Sequence, residues 1–220
     1  MIRSHAPRFV KRWRFPKHRL EAFSDGVFAI VITLLVLELK VPHIPHAENT
    51  GEVLQALREI IPKIFSWAVS FFFIAFVWLH HHQIMNMSLV ANYKVIWINT
   101  ILLFFLSLLP FPTALMGEYP KQPLIVMLWG LTLSMVTFWL AVLYAYCSRH
   151  FLRPTYDPVT VRRNVVLSFL TGPVFYLIAA LCSWWSIKLS YALYVLVPFL
   201  YLTPLDKERE DAAVHAEIIE

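Results

Sequence analysis

The residues best suited to chemistry in this 220-residue chain lie in and beside long apolar segments. Ser24 and Asp25 stand near the start of an apolar run that extends from about Leu20 to Val41, and three consecutive histidines, His80–His82, end a second run. A carboxylate beside imidazoles in a membrane can bind a cation, relay a proton or hydrogen-bond a neighbouring helix. Three interpretations therefore arise at this point: an ion pathway, a proton pathway and a metal site.

The spacing of the three histidines disfavours the metal site. Adjacent residues on a helix point about 100° apart, so only a subset of these rings can share one metal ion. Trp78, His81 and His82 instead share a helix face at i, i+3 and i+4 spacing. We expect them to form a hydrogen-bonding cluster with Asp25, and we expect neither a bound metal nor a cofactor.

Composition predicts the elements that must position these residues. Hydrophobic residues make up 59% of the chain and charged residues only 15%, against about 25% charged residues in a typical soluble domain. Apolar stretches near the length needed to cross a bilayer, about 20 residues, recur along the chain. The prediction is an all-α polytopic membrane protein with six transmembrane helices, at about 20–41, 60–80, 95–115, 124–147, 164–183 and 189–202. The first is expected to stop at Pro42, before a polar loop at 43–51.

The distribution of basic residues predicts the orientation. A tail at 1–19, a six-helix transmembrane domain at 20–205 and a second tail at 206–220 are expected, with both tails cytoplasmic. In that arrangement 14 of the 19 Lys and Arg residues lie on the cytoplasmic side, as the positive-inside rule requires. The basic first tail is expected to touch anionic lipid headgroups rather than nucleic acid.

Two further features of the sequence bear on function. Ile30, Leu34 and Leu37 share one face of the first helix, with Thr33 beside it, and periodicity alone leaves open whether that face meets lipid, protein or water. Asn99 near the start of the third span is expected to bond a neighbouring helix. Signatures of soluble enzymes, such as GxSxG or a Walker loop, are absent from the sequence, so we expect no enzyme.

Several motifs, in this order, resemble the transmembrane protein 175 family of endosomal/lysosomal potassium channels, in its prokaryotic single-repeat branch. They are R19-x-x-x-F23-S24-D25 running into F-A-I-V-I-T-L-L-V-L-E, then W78-L-H-H-H, N99 with S-L-L-P-F-P-T-A-L-M-G-E-Y-P, and G172-P-V-F-Y. The likeness covers about Arg19 to Leu205. It implies a potassium-permeable channel for passive conduction, a homotetramer in the bacterial plasma membrane, and a central pore formed by the first helix of each subunit.

The resemblance also implies roles for particular residues. Ile30, Leu34 and Leu37, with Thr33 close by, would form the pore constriction and act as a hydrophobic gate. The residues expected to brace the cytoplasmic end of the pore helix against the next two spans are Arg19, Phe23, Ser24, Asp25, Trp78, His81, His82 and Asn99. The alternative function is a proton-coupled transporter or proton-permeable pathway that uses Asp25 and the His80–His82 cluster.

Overall fold

The computed structural model describes residues 16–200 except Ala47 and Val90, with side chains described to residue 196. The basic residues before Pro16 and the predicted second tail at 206–220 lie outside this range. Within it the chain forms nine α-helices and one π-helical turn. These are α1 (Lys17–Val36), α2 (Thr50–Glu59), α3 (Ile61–Met87), α4 (Tyr93–Leu108), α5 (Pro110–Glu118), α6 (Pro123–His150), α7 (Pro158–Phe169), the π turn (Leu170–Val174), α8 (Phe175–Cys182) and α9 (Ile187–Leu200).

The prediction of an all-helical membrane protein is confirmed. Four segments of the described chain are long and apolar enough to cross a membrane: Ile61–Met87, Tyr93–Glu118, Pro123–His150 and Pro158–Cys182. Two of these are composite, since α4 continues into α5 and α7 continues through the π turn into α8. Of the two remaining predicted spans, α1 has 20 residues and starts with a charged turn, and the apolar part of α9 is the shorter Ile187–Leu196. The count of six spans stays a prediction.

The first helix ends earlier than the sequence predicts. Pro42 sets only an upper limit on the helix, whereas α1 ends at Val36. Beyond it, the amides of Leu37, Glu38 and Leu39 bond carbonyls three residues back, the tight pattern that closes a helix. The predicted loop at 43–51 also ends early, because Asn49 caps α2 by accepting a hydrogen bond from the Gly51 amide at 2.9 Å.

The centre of the bundle is α6, which packs against α3, α4, α5, α7, α8 and α9. Trp129 on α6 is fully buried. Its indole Nε1 lies 3.2 Å from both the Ser70 and Thr113 hydroxyl oxygens, which are 2.8 Å from each other. The Tyr194 ring meets Trp129 edge-on at 4.8 Å between centroids. α6 therefore fixes the relative positions of α3, α5 and α9.

Two interhelical turns are joined at one end of the bundle. Ser88, after α3, and Leu152, after α6, form an antiparallel β-bridge. The Leu89 amide donates to the Phe151 carbonyl, and the Arg153 amide donates to the Met87 carbonyl, each at 3.0 Å. This end of the bundle also holds the start of α1, because Ser24 bonds Asn99 in the first half of α4 and Asp25 bonds Trp78 in the second half of α3.

Candidate pore helix and its supporting network

The first helix has one buried face and one exposed face. Leu20, Ser24, Phe28, Val31 and Leu35 are buried against the bundle, and they recur at the three- and four-residue spacing of a helix face. The opposite side carries exposed side chains: Phe23, Ile30, Thr33, Leu34 and Leu37. The contrast is large between neighbours, since Ile30 is 59% exposed and Val31 only 2%. The predicted constriction residues thus share the face that the single chain leaves uncovered.

Three buried side chains connect α1, α3 and α4. Asn99 on α4 lies between the other two: its amide nitrogen donates to the Ser24 hydroxyl at 2.9 Å, and its amide oxygen lies 2.8 Å from His81 Nε2. The Ser24 hydroxyl donates in turn to the Leu20 carbonyl at 2.8 Å. Because the amide nitrogen is used by Ser24, the amide oxygen must accept, which places a proton on Nε2 of His81. Each polar atom in this chain of bonds has a partner, so the geometry is that of a structural joint.

Asp25 belongs to a second, exposed group of side chains. One carboxylate oxygen accepts a hydrogen bond from Trp78 Nε1 at 2.9 Å. The indole stacks on the His82 ring at 5.9 Å between centroids, and His82 Nε2 lies 2.9 Å from the Asn86 amide nitrogen. Arg19 is exposed and takes part in none of the ion pairs found among residues 16–200. The nearest described partner of the carboxylate is therefore an indole and not the guanidinium.

The three consecutive histidines have three different partners. His80 Nδ1 lies 2.9 Å from the Phe76 carbonyl, whereas His81 meets Asn99 and His82 meets Asn86. In the part of the chain that the structure describes, no group of three or more His, Cys, Asp or Glu side chains is placed to hold a metal ion. The rings point apart as the helical spacing predicts.

Thr33 has its hydroxyl turned toward its own helix. Its Oγ1 lies 3.0 Å from the Ala29 carbonyl and 2.9 Å from the Ile30 carbonyl, so its single proton is used within α1. The lone pairs of the hydroxyl oxygen stay available on the exposed face, where they can accept a hydrogen bond or contact a cation. Among the four predicted constriction residues, Thr33 is the one with a side-chain oxygen.

A cavity of about 230 Å³ lies behind the end of α1, between this helix, α3 and α5. Leu35 and Leu39 form one wall, and Trp67 and Gly117 contribute to the other. Lys63 on α3 and Glu118 on α5 form an ion pair at its edge. The C-terminal end of α1 is therefore packed less tightly than its Ser24 end.

Sequence reasoning did not find the Ser70–Thr113–Trp129 contact described above. Its only signal in the sequence is a serine or threonine in the middle of an apolar segment, which is common in membrane helices. The partner of each is decided by how α3, α5 and α6 pack, and that is a property of the fold.

Comparison with known proteins agrees with the resemblance seen in the sequence motifs. The family model described as endosomal/lysosomal potassium channel TMEM175 matches residues 19–110. A Chryseobacterium protein named as a potassium channel is 31% identical over 198 residues, which cover 88% of this chain and 96% of the relative. The chain belongs to the TMEM175 family. The predicted resemblance is thereby confirmed, and because this is a family of ion channels, so is the prediction that the chain is not an enzyme.

Solved structures of the TMEM175 family agree with the fold. The crystal structure of a lysosomal potassium-selective channel TMEM175 homolog from Chamaesiphon minutus superposes with a TM-score of 0.74 at 30% identity. The match covers 84% of this chain and 95% of that one. Among animal members, the bovine endosomal/lysosomal proton channel TMEM175 is 34% identical over 112 residues, which span 49% of this chain and 23% of the relative. The family thus includes relatives named for potassium and relatives named for protons.

Proposed function

We propose that this protein is a potassium-permeable channel in which the first helices of four identical subunits surround one pore. The observation that carries the proposal is the exposed face of α1, where Ile30, Leu34 and Leu37 are 59%, 42% and 68% exposed while Val31 and Leu35 on the other face are buried. The names of the bacterial relatives, which are called potassium channels, support the choice of ion.

The proposed pore has a simple physical character. Rings of Ile30, Leu34 and Leu37 side chains make a narrow apolar neck that excludes water, and such a neck acts as a gate. Thr33 oxygens between these rings supply polar contacts to a partly dehydrated potassium ion. Asp25 and Trp78 stand near the other end of α1, about one and a half turns before Ile30, and brace the mouth of the pore.

The topology of the proposed channel follows from the basic residues. We propose six spans, with both termini cytoplasmic and the protein in the bacterial plasma membrane. In this orientation the Ser88–Leu152 bridge and the first turn of α1 lie on the cytoplasmic side, and α2 lies on the other. Lys94, Arg149, Arg153, Arg162 and Arg163 are then cytoplasmic, as the positive-inside rule favours.

Potassium flux from liposomes tests the proposed activity. Purified protein is reconstituted into potassium-loaded vesicles diluted into sodium buffer, and potassium release is followed with an ion-selective electrode, with charge balanced by a proton uncoupler. Release above that of empty vesicles, at equal internal and external pH, is expected for a passive channel. If release requires an imposed pH gradient, the protein is a coupled transporter and the proposal fails.

Proton permeation is the second candidate function, because the animal relatives are named proton channels. In addition, the Asp25 carboxylate and the His82 imidazole lie on either side of the Trp78 indole in one exposed cluster. The same vesicles distinguish it. Adding valinomycin without uncoupler makes the interior negative, and a proton-permeable protein then acidifies the lumen. The Asp25→Asn variant should reduce that acidification if this cluster conducts protons, and should leave potassium release largely unchanged.

A further inference from the structure

The outer face of α7 and α8 is a continuous apolar stripe. Its exposed residues, each between 43% and 55% exposed, are Val166, Leu167, Leu170, Val174 and Ile178. From Leu167 onward they follow one another at three- and four-residue spacing, and Val166 stands four residues before Leu170. Phe169 beside the stripe meets Phe138 of α6 at 6.0 Å between ring centroids. α6 therefore lies directly beside this stripe.

The two ends of this stripe carry different residues. Arg162 and Arg163 lie one turn before Val166 and are exposed, and Trp184 and Trp185 at the far end are 61% and 84% exposed. From Arg163 to Trp184 is 21 residues, or about 32 Å at 1.5 Å per residue, close to the roughly 30 Å of bilayer hydrocarbon. Basic residues at one boundary and tryptophans at the other are typical of a surface that faces lipid.

The arginine end of the stripe has an excess of positive charge. Arg149 at the end of α6 and Arg153 in the following turn are exposed at the same end of the bundle as Arg162 and Arg163. None of the four is in an ion pair within the described ranges. The carboxylate of Asp157 caps α7 instead, where one oxygen accepts from the Thr160 amide at 3.0 Å and from its hydroxyl at 2.8 Å.

We propose that this stripe binds an anionic phospholipid of the leaflet on the arginine side. The lipid phosphate pairs with the guanidinium groups of Arg162 and Arg163, which present planar, two-pronged donors to phosphate oxygens. One acyl chain lies along Val166, Leu167 and Leu170 and reaches toward Phe138. Charge complementarity selects the anionic headgroup, and the length of the stripe selects a membrane lipid over free phosphate. The site is separate from the exposed face of α1 and stands independently of the proposed pore.

Native mass spectrometry of the purified full-length protein tests the site, with dioleoylphosphatidylglycerol and dioleoylphosphatidylcholine as competing probes. The wild type should retain phosphatidylglycerol in preference. In the Arg162→Gln, Arg163→Gln double variant that lipid should bind roughly 30-fold more weakly. Each arginine near the headgroups strengthens binding about five-fold, and the two effects multiply. The matched control is Lys121→Gln with Lys188→Gln, which removes two exposed cations from the opposite end of the bundle and should leave retention unchanged.

Two results would overturn the proposal. The first is equal retention of the two lipids by the wild type, which is also expected if the acidic residues of the segment 206–220 cover the arginines. The second is unchanged phosphatidylglycerol retention in the glutamine variant. If that variant does not fold, Arg162→Lys with Arg163→Lys keeps both charges but loses the two-pronged geometry. It should then show intermediate retention, and wild-type retention would count against a guanidinium site.

Discussion

At the scale of single residues, Ser24 and Asp25 show how adjacent positions can serve different purposes. One step along a helix turns a side chain by about 100°, which takes Ser24 into the bundle and leaves Asp25 exposed. Ser24 is held by a buried amide, and Asp25 by an indole at the surface. The adjacent Ser24 and Asp25 therefore make two separate contacts. The Ser24 contact connects α1 to α4 and, through Asn99, to α3, and the Asp25 contact holds the N-terminal half of α1 to α3.

Replacing Asp25 by alanine should reduce stability and assembly more than ion preference. The change removes the acceptor of the Trp78 indole, and a hydrogen bond to a charged group contributes about 1.5–3 kcal/mol, to be reduced to about 1 kcal/mol for an exposed pair. Trp78→Phe removes the same bond from the other side. Thermal unfolding of both single variants and of the double variant should show that the second change adds little to the first.

Reversal potentials in mixed potassium and sodium test whether Asp25→Ala changes ion preference instead. A well-folded Asp25→Ala channel that conducts but no longer prefers potassium would make the carboxylate an ion site. Trp78→Phe is the matched control, because it leaves the carboxylate in place while breaking its bond.

At the scale of elements, α1 divides its residues between support and the proposed pore. Asparagine at Ile30 should increase cation flux through the channel, because polar amides would hydrate a constriction that apolar side chains keep dry. Asparagine at Val31, which is 2% exposed, should instead reduce the yield of folded protein by burying an unpaired amide. Flux through liposomes, normalised to assembled protein, measures the difference. Equal flux in the two variants, or no increase for Ile30→Asn, would show that the exposed face of α1 does not line the pore.

The contact between α6 and α9 depends on the absence of a side chain at Gly130. A methyl group there would collide with the hydroxyl oxygen and Cζ of Tyr194 and with the Ala180 methyl group; the hydroxyl donates to the Val126 carbonyl at 3.0 Å. Gly130→Ala should therefore destabilise the protein by about 1–3 kcal/mol through overpacking. Tyr194→Phe removes the nearest of the three colliding atoms and leaves the ring carbon and Ala180, so the double variant should recover only part of the melting temperature lost in Gly130→Ala. If the double variant is no more stable than Gly130→Ala, the clash with the Tyr194 hydroxyl is not the cause of the destabilisation.

The long apolar segments could be predicted from the sequence, but the residues that they contact on other helices could not. The fourth span was predicted at 124–147 and is observed as Pro123–His150, because hydrophobic length largely determines a membrane helix. Other features escaped prediction: the early end of α1 at Val36, the continuation of α3 to Met87 beyond the predicted end at residue 80, and the short amphipathic helix α2. The placement of Asn99 between Ser24 and His81 depends on the packing of three helices, and spacing along one chain contains no information on it.

At the scale of the whole molecule, one chain supplies one α1, and closing a narrow path takes several. We expect a homotetramer in native-like lipid. Native mass measurement should give four times the mass of the chain. Cross-linking through a cysteine at Leu37 should join subunits more readily than one at Phe138, which lies beside the proposed lipid site. A stable monomer or dimer that still passes potassium would contradict the central pore.

The bridge between Ser88 and Leu152 has a consequence for the order of folding. It joins residues 64 positions apart, so closing it early would cost much chain entropy, whereas the helices on either side form from local contacts. We therefore expect it to close after α3, α4 and α6 have come together. In hydrogen-exchange experiments during refolding, the amides of Leu89 and Arg153 should gain protection late. In the native protein they should exchange more slowly than other turn amides, and so report that α3, α4 and α6 have come together.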